Sequence, residues 1–470
     1  MEKSVKKKKL TVPHSFALLF LIIVICTVLT WIVPAGEFAT YEDPKTGVTY
    51  LDPDNFNYIE SSPVGLFEMF GAVPRGMISA ADIIFFLFIV GGAFGVIEGT
   101  GAFAAGIGSL VKRLEGREIF LISVLTAIFA IGGSLFGLAE QGLALIPVAI
   151  LLTTSLGLDR IVAVAIIVAG SQAGFSSGIF NPFTTAVGHK MADLPLYSGK
   201  GFRLVGLIVF TGITIWYLAR YIKKIKANPE LSLVHSLEDE NLIDNFQGAD
   251  ADLELTTKHK AALATLVVAV VILAYGVAFH GWYLMELSYL FFGMGIVAGL
   301  VGGSGMNKTA EDFVKGATSL TMGALIVGFA RGIVIVLQDG KILDTIIKGL
   351  STIIMALPNQ ITVLGMYIVQ VLVNFLIPSG SGQAAATLPI MLPLGDMAGI
   401  TRQVSILVME YGNGLSNAIY PTVGLCIGAV GIAKVPYEKW VKWALPLMGL
   451  WHLAGAILLL IANAIQLGPF

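Results

Sequence analysis

The 470 residues are 56% hydrophobic and only 13% charged, with a formal net charge of −2. A soluble domain carries about 25% charged residues, so a mean hydropathy of +0.83 excludes a water-soluble globule and points to a bilayer. The near-neutral charge says nothing of partners, and no basic patch with interleaved aromatics suggests nucleic acid. Cys26 and Cys426 both lie in apolar segments without metal-ligand or disulfide spacing, which reads as packed thiols.

Lys3, Lys6, Lys7, Lys8 and Lys9 precede an apolar run from Phe16 to Val33. The run is too long for a signal-peptide core, and no small-x-small cleavage site follows it. It predicts an uncleaved first span with a cytoplasmic N-terminus. Residues 35–62 are polar and read as an outer loop. Apolar stretches of spanning length, about 20 residues at 1.5 Å each, then fall near 80–98, 118–136, 160–190, 202–222, 262–280, 284–303, 320–338, 361–377, 402–433 and 441–465. The stretch 63–81 is undecided between a span and an interfacial helix. Together they predict an all-α polytopic membrane protein of roughly 11–13 spans.

Residues 223–260 carry many charges and no spanning run, and so read as a linker, cytoplasmic by its basic start, between a first membrane repeat (1–222) and a second (261–470). The halves are related. Gln141 and Gln383, Pro147 and Pro389, and Arg160 and Arg402 all pair at one offset (383 − 141 = 242). After one gap, Pro182 falls over Pro421. Inversion of the halves needs an odd number of crossings between them, which the spans alone do not force. Segments 137–158 and 379–399 each open on a polar turn and contain a central Pro. Either could be a full span or a re-entrant hairpin. Their position before a polar-broken span in both halves favours the hairpin, because freed backbone is tolerated only inside protein or a wet cavity.

Polar breaks at matching places in two halves are the best sequence pointer to a transporter's substrate site. A helix stopped within the membrane offers N–H groups that favour a carboxylate and carbonyls that suit Na⁺ or an ammonium. The candidate ligands are Ser176, Ser177, Asn181, Thr184 and Thr185 in one half, and Asn413, Ser416, Asn417 and Thr422 in the other. The predicted tips add Glu140 and Gln141 against Ser379, Ser381 and Gln383. Any single Ser or Thr here can bond its own helix; a dozen at equivalent places is harder to explain that way. Glu140 and Glu410 are the ionisable candidates for substrate or a coupling proton, because burying a charge in lipid costs several kcal/mol. A buried structural pair is the competing role for both. Arg331 could neutralise a carboxylate or tie helices together. Gly91, Gly95 and Gly99, Gly295, Gly299 and Gly303, and Gly328 with Gly332 recur every four residues and read as close helix crossings.

The Ser176-Ser177-Gly178-x-x-Asn181-Pro182 and Pro378-Ser379-Gly380-Ser381-Gly382-Gln383 stretches, the Trp31-Ile32-Val33-Pro34-Ala35-Gly36 exit and the duplication resemble the YfcC branch of the DcuC/ArcD-like carriers in the ion-transporter superfamily. The resemblance runs over nearly the whole chain. It implies a secondary carrier of the bacterial inner membrane, with scaffold helices, a mobile hairpin-containing transport domain and often a homodimer. For cargo it implies either C4-dicarboxylates or basic amino acids such as arginine and ornithine. Acidic Glu140 and Glu410 near the breaks, with only Arg160 and Arg402 as cations at hairpin bases, favour the amino acid. A small-molecule cargo with H⁺ or Na⁺ coupling is expected, without cofactor. No His-Glu-x-x-His, Gly-x-Ser-x-Gly or nucleotide-loop motif supports an enzyme or an ATP-driven pump. A channel or receptor scaffold is the remaining alternative.

Overall fold

The computed structural model describes residues 15–42, 49–103, 105–106, 109, 117–181, 183–235, 255–280, 282, 284–355 and 357–468. The first half contains α1 (Ser15–Ile32), a β-hairpin of β1 (Gly36–Glu42) and β2 (Thr49–Tyr58), α2 (Leu66–Ser79) and α3 (Ala81–Gly99). There follow α4 (Glu118–Phe136), a 3₁₀ segment Glu140–Leu145 running into α5 (Ile146–Ser155), α6 (Arg160–Ser177), α7 (Thr185–Met191) and α8 (Lys200–Ala227). The second half contains α9 (Thr257–His280), α10 (Leu284–Val301), α11 (Met306–Ser319), α12 (Thr321–Asp339), α13 (Leu343–Met355), α14 (Asn359–Leu376), α15 (Gly380–Met397), α16 (Arg402–Ser416), α17 (Gly424–Ile432) and α18 (Tyr437–Ala464).

The duplication is visible in the lengths. Helices α2 and α11 have 14 residues each, α3 and α12 have 19, and α8 and α18 have 28. Packing exchanges the partners: α3 lies on α11, and α2 lies on α12. Small residues make both crossings. A Cβ on Gly95 would sit 2.6 Å from the Asp312 carbonyl oxygen, and one on Gly91 would sit 2.8 Å from that of Gly316. Numbers rise on α3 as they fall on α11, so the helices run antiparallel. Gly328 meets Met77 while Gly332 meets Ala72, giving the same sense for α2 on α12. In lipid such close backbone approach, rather than hydrophobic exclusion, drives association. The ladder Gly295 and Gly299 faces Ala93 and Val96 of α3.

Helices α6 and α16 begin at Arg160 and Arg402 and are therefore equivalents. They too cross antiparallel, Gly414 against Ser176 and Asn417 against Gln172. Equivalent helices crossing through equivalent residues in opposite directions mark an inverted repeat. Among the described residues the 24-residue α9 has no partner in the matched series and, at about 36 Å, is long enough for one extra crossing.

Among the described residues, six helices are long and apolar enough to cross a membrane: Ala81–Gly99, Glu118–Leu135, Arg160–Ser177, Lys200–Ala227, Leu284–Val301 and Tyr437–Ala464. The bent pair Met306–Ser319 and Ala324–Asp339, broken by 42°, gives a seventh if counted as one span. This is fewer than the apolar runs promised: 402–433 is divided between α16 and α17, and Leu19–Ile32 and Ile361–Leu376 are shorter apolar helices. At 14 residues, about 21 Å, α2 is too short to span and instead packs along α12. Half of the charged linker, 236–254, lies outside the described residues. Residues 35–62, read as a loop, hold paired strands: β1 and β2 pair antiparallel from Gly36↔Tyr58 to Glu42↔Thr49. The hairpin is pinned to α13 by the Phe38 N–H donating to Asp344 (3.1 Å) and by Lys348 lying 3.9 Å from the Phe56 ring centre.

Candidate functional site

Both halves place an arm, a tip and a second arm ahead of a broken helix. Arms α4 and α5 meet at the tip 137–139, and α14 and α15 meet at 377–379. The first arm docks on α6 through Gly133 and Gly174, whose added Cβ atoms would fall 2.8 Å from Phe175 N and Ala130 Cα respectively. Helix α6 is wholly buried along its length, so its polar residues never meet lipid. It starts on an Asp159 cap, whose carboxylate accepts from Val162 N (3.2 Å); α16 starts on Thr401, accepting from Val404 N (3.3 Å). Gly178, at φ +54, ends α6 in the left-handed region open to glycine. The break's backbone is satisfied by the hairpin arm: Ile179 N donates to Ser134 Oγ (3.2 Å) and Phe180 N to Ser134 O (3.0 Å). That is the condition under which irregular backbone survives at membrane depth.

Tips and breaks converge on one cavity of about 230 Å³. Its walls include Glu140, Ser379, Ser381, Asn417 and Thr422 from the sequence-predicted set. They also include Gln172, Asp82 and Arg331, which that set lacked. Two helices begin at this wall. Gly380 and Ser381 open α15 behind the Ser379 cap, and Gly424 and Leu425 open α17. First-turn N–H groups have no partner within their helix and carry partial positive charge. The cavity therefore combines two positive helix ends, one guanidinium and two carboxylates. Two buried side-chain atoms on its wall, Gln172 Nε2 and Thr422 Oγ1, make no hydrogen bond.

The other sequence candidates stand behind this wall. Ser176, Ser177 and Ser416 donate to the carbonyls of Gln172 (2.6 Å), Gly174 (2.6 Å) and Gly412 (2.7 Å), bonding their own helices. Asn181 shapes the first break, its side-chain oxygen accepting from Phe183 N (2.9 Å) and Thr184 N (3.3 Å). The methyl of Thr184 packs on Gly380, while the Gln141 side chain lies outside the described residues. Gln383, Asn413 and Asn417 join Gln370 and Asn374 of α14 in an amide network that ends at Gln172. Asn413 donates to Asn374 (2.8 Å) and Gln383 (2.9 Å), and Asn417 donates to Gln172 Oε1 (3.2 Å).

Glu410 does not line the cavity. It is ion-paired with fully buried Arg203 of α8 and accepts from Thr185 Oγ1 at 2.5 Å. Arg203 also donates to the carbonyls of Ser177 (3.5 Å) and Gly178 (3.4 Å), capping the negative end of α6. His189 faces Arg203 at 3.4 Å and accepts from Tyr197 N at 2.9 Å. Arg402 stays at its hairpin base, bonded to Asp396 at 3.2 Å.

Sequence reasoning passed over Gln172, Gln370 and Asn374. The available signal was a Gln inside an otherwise apolar span, and a Gln–Asn pair four residues apart on one helix face. Asp82 was hidden by its place at a span's end, where a carboxylate ordinarily meets water.

Among curated proteins, the chain is 31% identical over 493 residues to the "Putative basic amino acid antiporter YfcC" of Escherichia coli (strain K12), with 96% of each chain covered. It is 29% identical over 504 residues to an uncharacterized protein of Haemophilus influenzae, covering 98% of this chain and 99% of that one. Solved structures similar to it include the Alcanivorax borkumensis YdaH transporter (TM-score 0.41, 17% identity, covering 97% of this chain and 99% of that one). Another is Neisseria gonorrhoeae MtrF, of a class of antimetabolite efflux pumps (TM-score 0.42, 16% identity, 97% and 96% covered). The DcuC family, described as "C4-dicarboxylate anaerobic carrier", matches residues 12–464. A duplicated, polytopic membrane bundle with this match over nearly its full length belongs to the DcuC family of transporters.

Proposed function

We propose that the protein is a secondary active transporter of amino acids, chiefly basic ones such as arginine and ornithine, working by alternating access of a mobile hairpin-containing body. The carrying observation is the cavity where both tips meet both breaks. Glu140 and Asp82 suit a cationic side chain, while the N-termini of α15 and α17 suit an α-carboxylate. Arg331 offsets one of the two acids, so the walls suit a zwitterion with an added positive charge. The name of the YfcC protein of Escherichia coli agrees with this choice.

On this reading residues 1–222 and 261–470 form the two repeats, and the linker 223–260 and the basic N-terminus face the cytoplasm of a bacterial inner membrane. A homodimer would hold the scaffold still. Exchange of one amino acid for another, or symport with H⁺ or Na⁺, drives the cycle. The second reading is a C4-dicarboxylate or other small organic anion carrier, favoured by Arg331 and the two helix ends and by the family's description. Uptake and counterflow in proteoliposomes, with labelled arginine, ornithine and succinate under imposed Na⁺ and H⁺ gradients, separate the two. Saturable arginine–ornithine exchange is expected. Succinate transport without amino acid transport would establish the second reading instead.

A further inference from the structure

The amide network fixes which end of Gln172 faces the cavity. Two backbone carbonyls, which can only accept, anchor its polarity. Asn374 Nδ2 donates to Asn413 O (3.0 Å), and Gln383 Nε2 donates to Gln370 O (2.8 Å). With its amino group so placed, Asn374 also donates to Asn417 Oδ1 (2.9 Å). Asn417 therefore presents its own amino group to the next residue, and that neighbour, Gln172, must answer with its carbonyl oxygen at 3.2 Å. Only the Gln172 amino group is left to point at the cavity. It is fully buried, lines the wall and has no partner. Burying a donor without a partner is costly, a cost relieved when a ligand supplies an acceptor.

We infer that Gln172 is a specificity-determining residue whose donor end, set by the relay from the second hairpin, binds a carboxylate of the cargo. The inference rests on the reading above for where the cargo sits and adds which residue reads its acid group. It also assigns the relay a function. Gln370, Asn374, Gln383, Asn413 and Asn417 keep one amide from turning over, so the site rejects cargo that lacks an acceptor there. A site built to satisfy a polar group discriminates strongly against analogues without it.

Two isosteric substitutions test this. Gln172→Glu keeps the acceptor towards Asn417 but puts a second oxygen at the cavity. Asn417→Asp removes the donor that holds Gln172 Oε1, so the amide turns and offers its oxygen to the cargo. Binding of L-arginine, agmatine (arginine without its carboxylate) and succinate is measured by titration calorimetry on purified full-length protein. Wild type is expected to prefer L-arginine to agmatine at least tenfold. Each variant should reduce that preference at least fivefold, chiefly by weakening L-arginine. Equal affinity of wild type for L-arginine and agmatine would overturn the inference, as would equal weakening of both in the variants. If wild type binds succinate and not L-arginine, the amino acid reading falls while Gln172 is still tested: Gln172→Glu must then weaken succinate at least tenfold. Wild type that binds neither overturns both.

Discussion

Neutralising Glu410 removes the counter-ion of Arg203 without changing side-chain shape. Both side chains are fully buried, and the guanidinium would be left with neutral acceptors alone: the introduced amide oxygen and the Ser177 and Gly178 carbonyls at 3.5 and 3.4 Å. Breaking a buried pair by removing one partner costs about 3–5 kcal/mol, because the other charge is left uncompensated. At about 1.4 kcal/mol per factor of ten, Glu410→Gln should lower the folded-to-unfolded ratio by two to nearly four powers of ten. Removing both charges together, as Arg203→Met with Glu410→Leu, should recover most of that loss, since an apolar pair of similar volume is often neutral or better. The assay is the unfolding midpoint of detergent-purified protein in a thermal and a dodecyl sulfate titration, with elution profiles as the check on folding. Cargo affinity of the folded fraction of Glu410→Gln should match wild type, because Glu410 stands outside the cavity. A wild-type midpoint in Glu410→Gln, or a double variant that loses the sum of both single losses, would refute the structural account of the pair.

Gly316→Val should destabilise by about 1–3 kcal/mol in the same titrations, since a Cβ there would meet Gly95 Cα at 2.7 Å and force α3 from α11. Asp159→Ala removes a helix cap and the acceptor of Tyr221 (2.5 Å) and Ser232 (2.7 Å); about 2–4 kcal/mol should be lost from cap and charged bonds together. Glu140→Gln should weaken arginine about ten- to a hundredfold, the range of a charge-assisted bond, while its melting point holds; unchanged arginine binding would remove Glu140 from the site. Replacing Na⁺ by K⁺ should leave the rate of arginine uptake in proteoliposomes unchanged, because protein donors occupy the carbonyl ends of both breaks; a saturable Na⁺ requirement would show that a cation displaces them.

What the sequence shows about this fold follows from which physical signals are local. Apolar runs, the fixed offset linking Gln141 to Gln383 and Arg160 to Arg402, and breaker residues at Gly178 and Pro421 can all be read along the chain. They placed the tips, the breaks and the duplication. Partner choice is not local. The sequence leaves Glu410 open between a substrate or proton role and a buried pair because its cation, Arg203, lies 207 residues away on another helix. Asp82 and Arg331 join Glu140 only through the packing of α3 and α12 around the tip. Ser176 and Ser416 carry the composition of ligands, yet an i−4 carbonyl within reach satisfies each of them. Conversely Gln172, a lone amide in an apolar run, gains its significance from five residues of the other repeat.

The two repeats also solve the same end-of-helix problem by unlike means, which decides the polarity of the space between them. Arg203 and Trp440 are each the fourth residue of a 28-residue helix, and so occupy equivalent positions. Arg203 donates to the carbonyls that end α6, and Trp440 Nε1 donates to Ala418 O at 2.8 Å, just past the end of α16. The negative end of each break is thus closed by a side chain from the long helix of its own repeat. Two positive ends face the cavity: that of α15, where Ser379 Oγ accepts from Gly382 N (3.2 Å) and the other first-turn N–H groups stay free of side-chain caps, and that of α17, which has no side-chain cap. A carbonyl end capped by protein contributes nothing to cargo binding, whereas an open N–H end attracts an anion. An inverted pair of breaks could have offered the cargo a balanced set of dipoles. Instead the caps leave a cavity whose backbone favours carboxylates, so on the proposed amino acid reading selectivity for a cationic group falls to the Asp82 and Glu140 side chains.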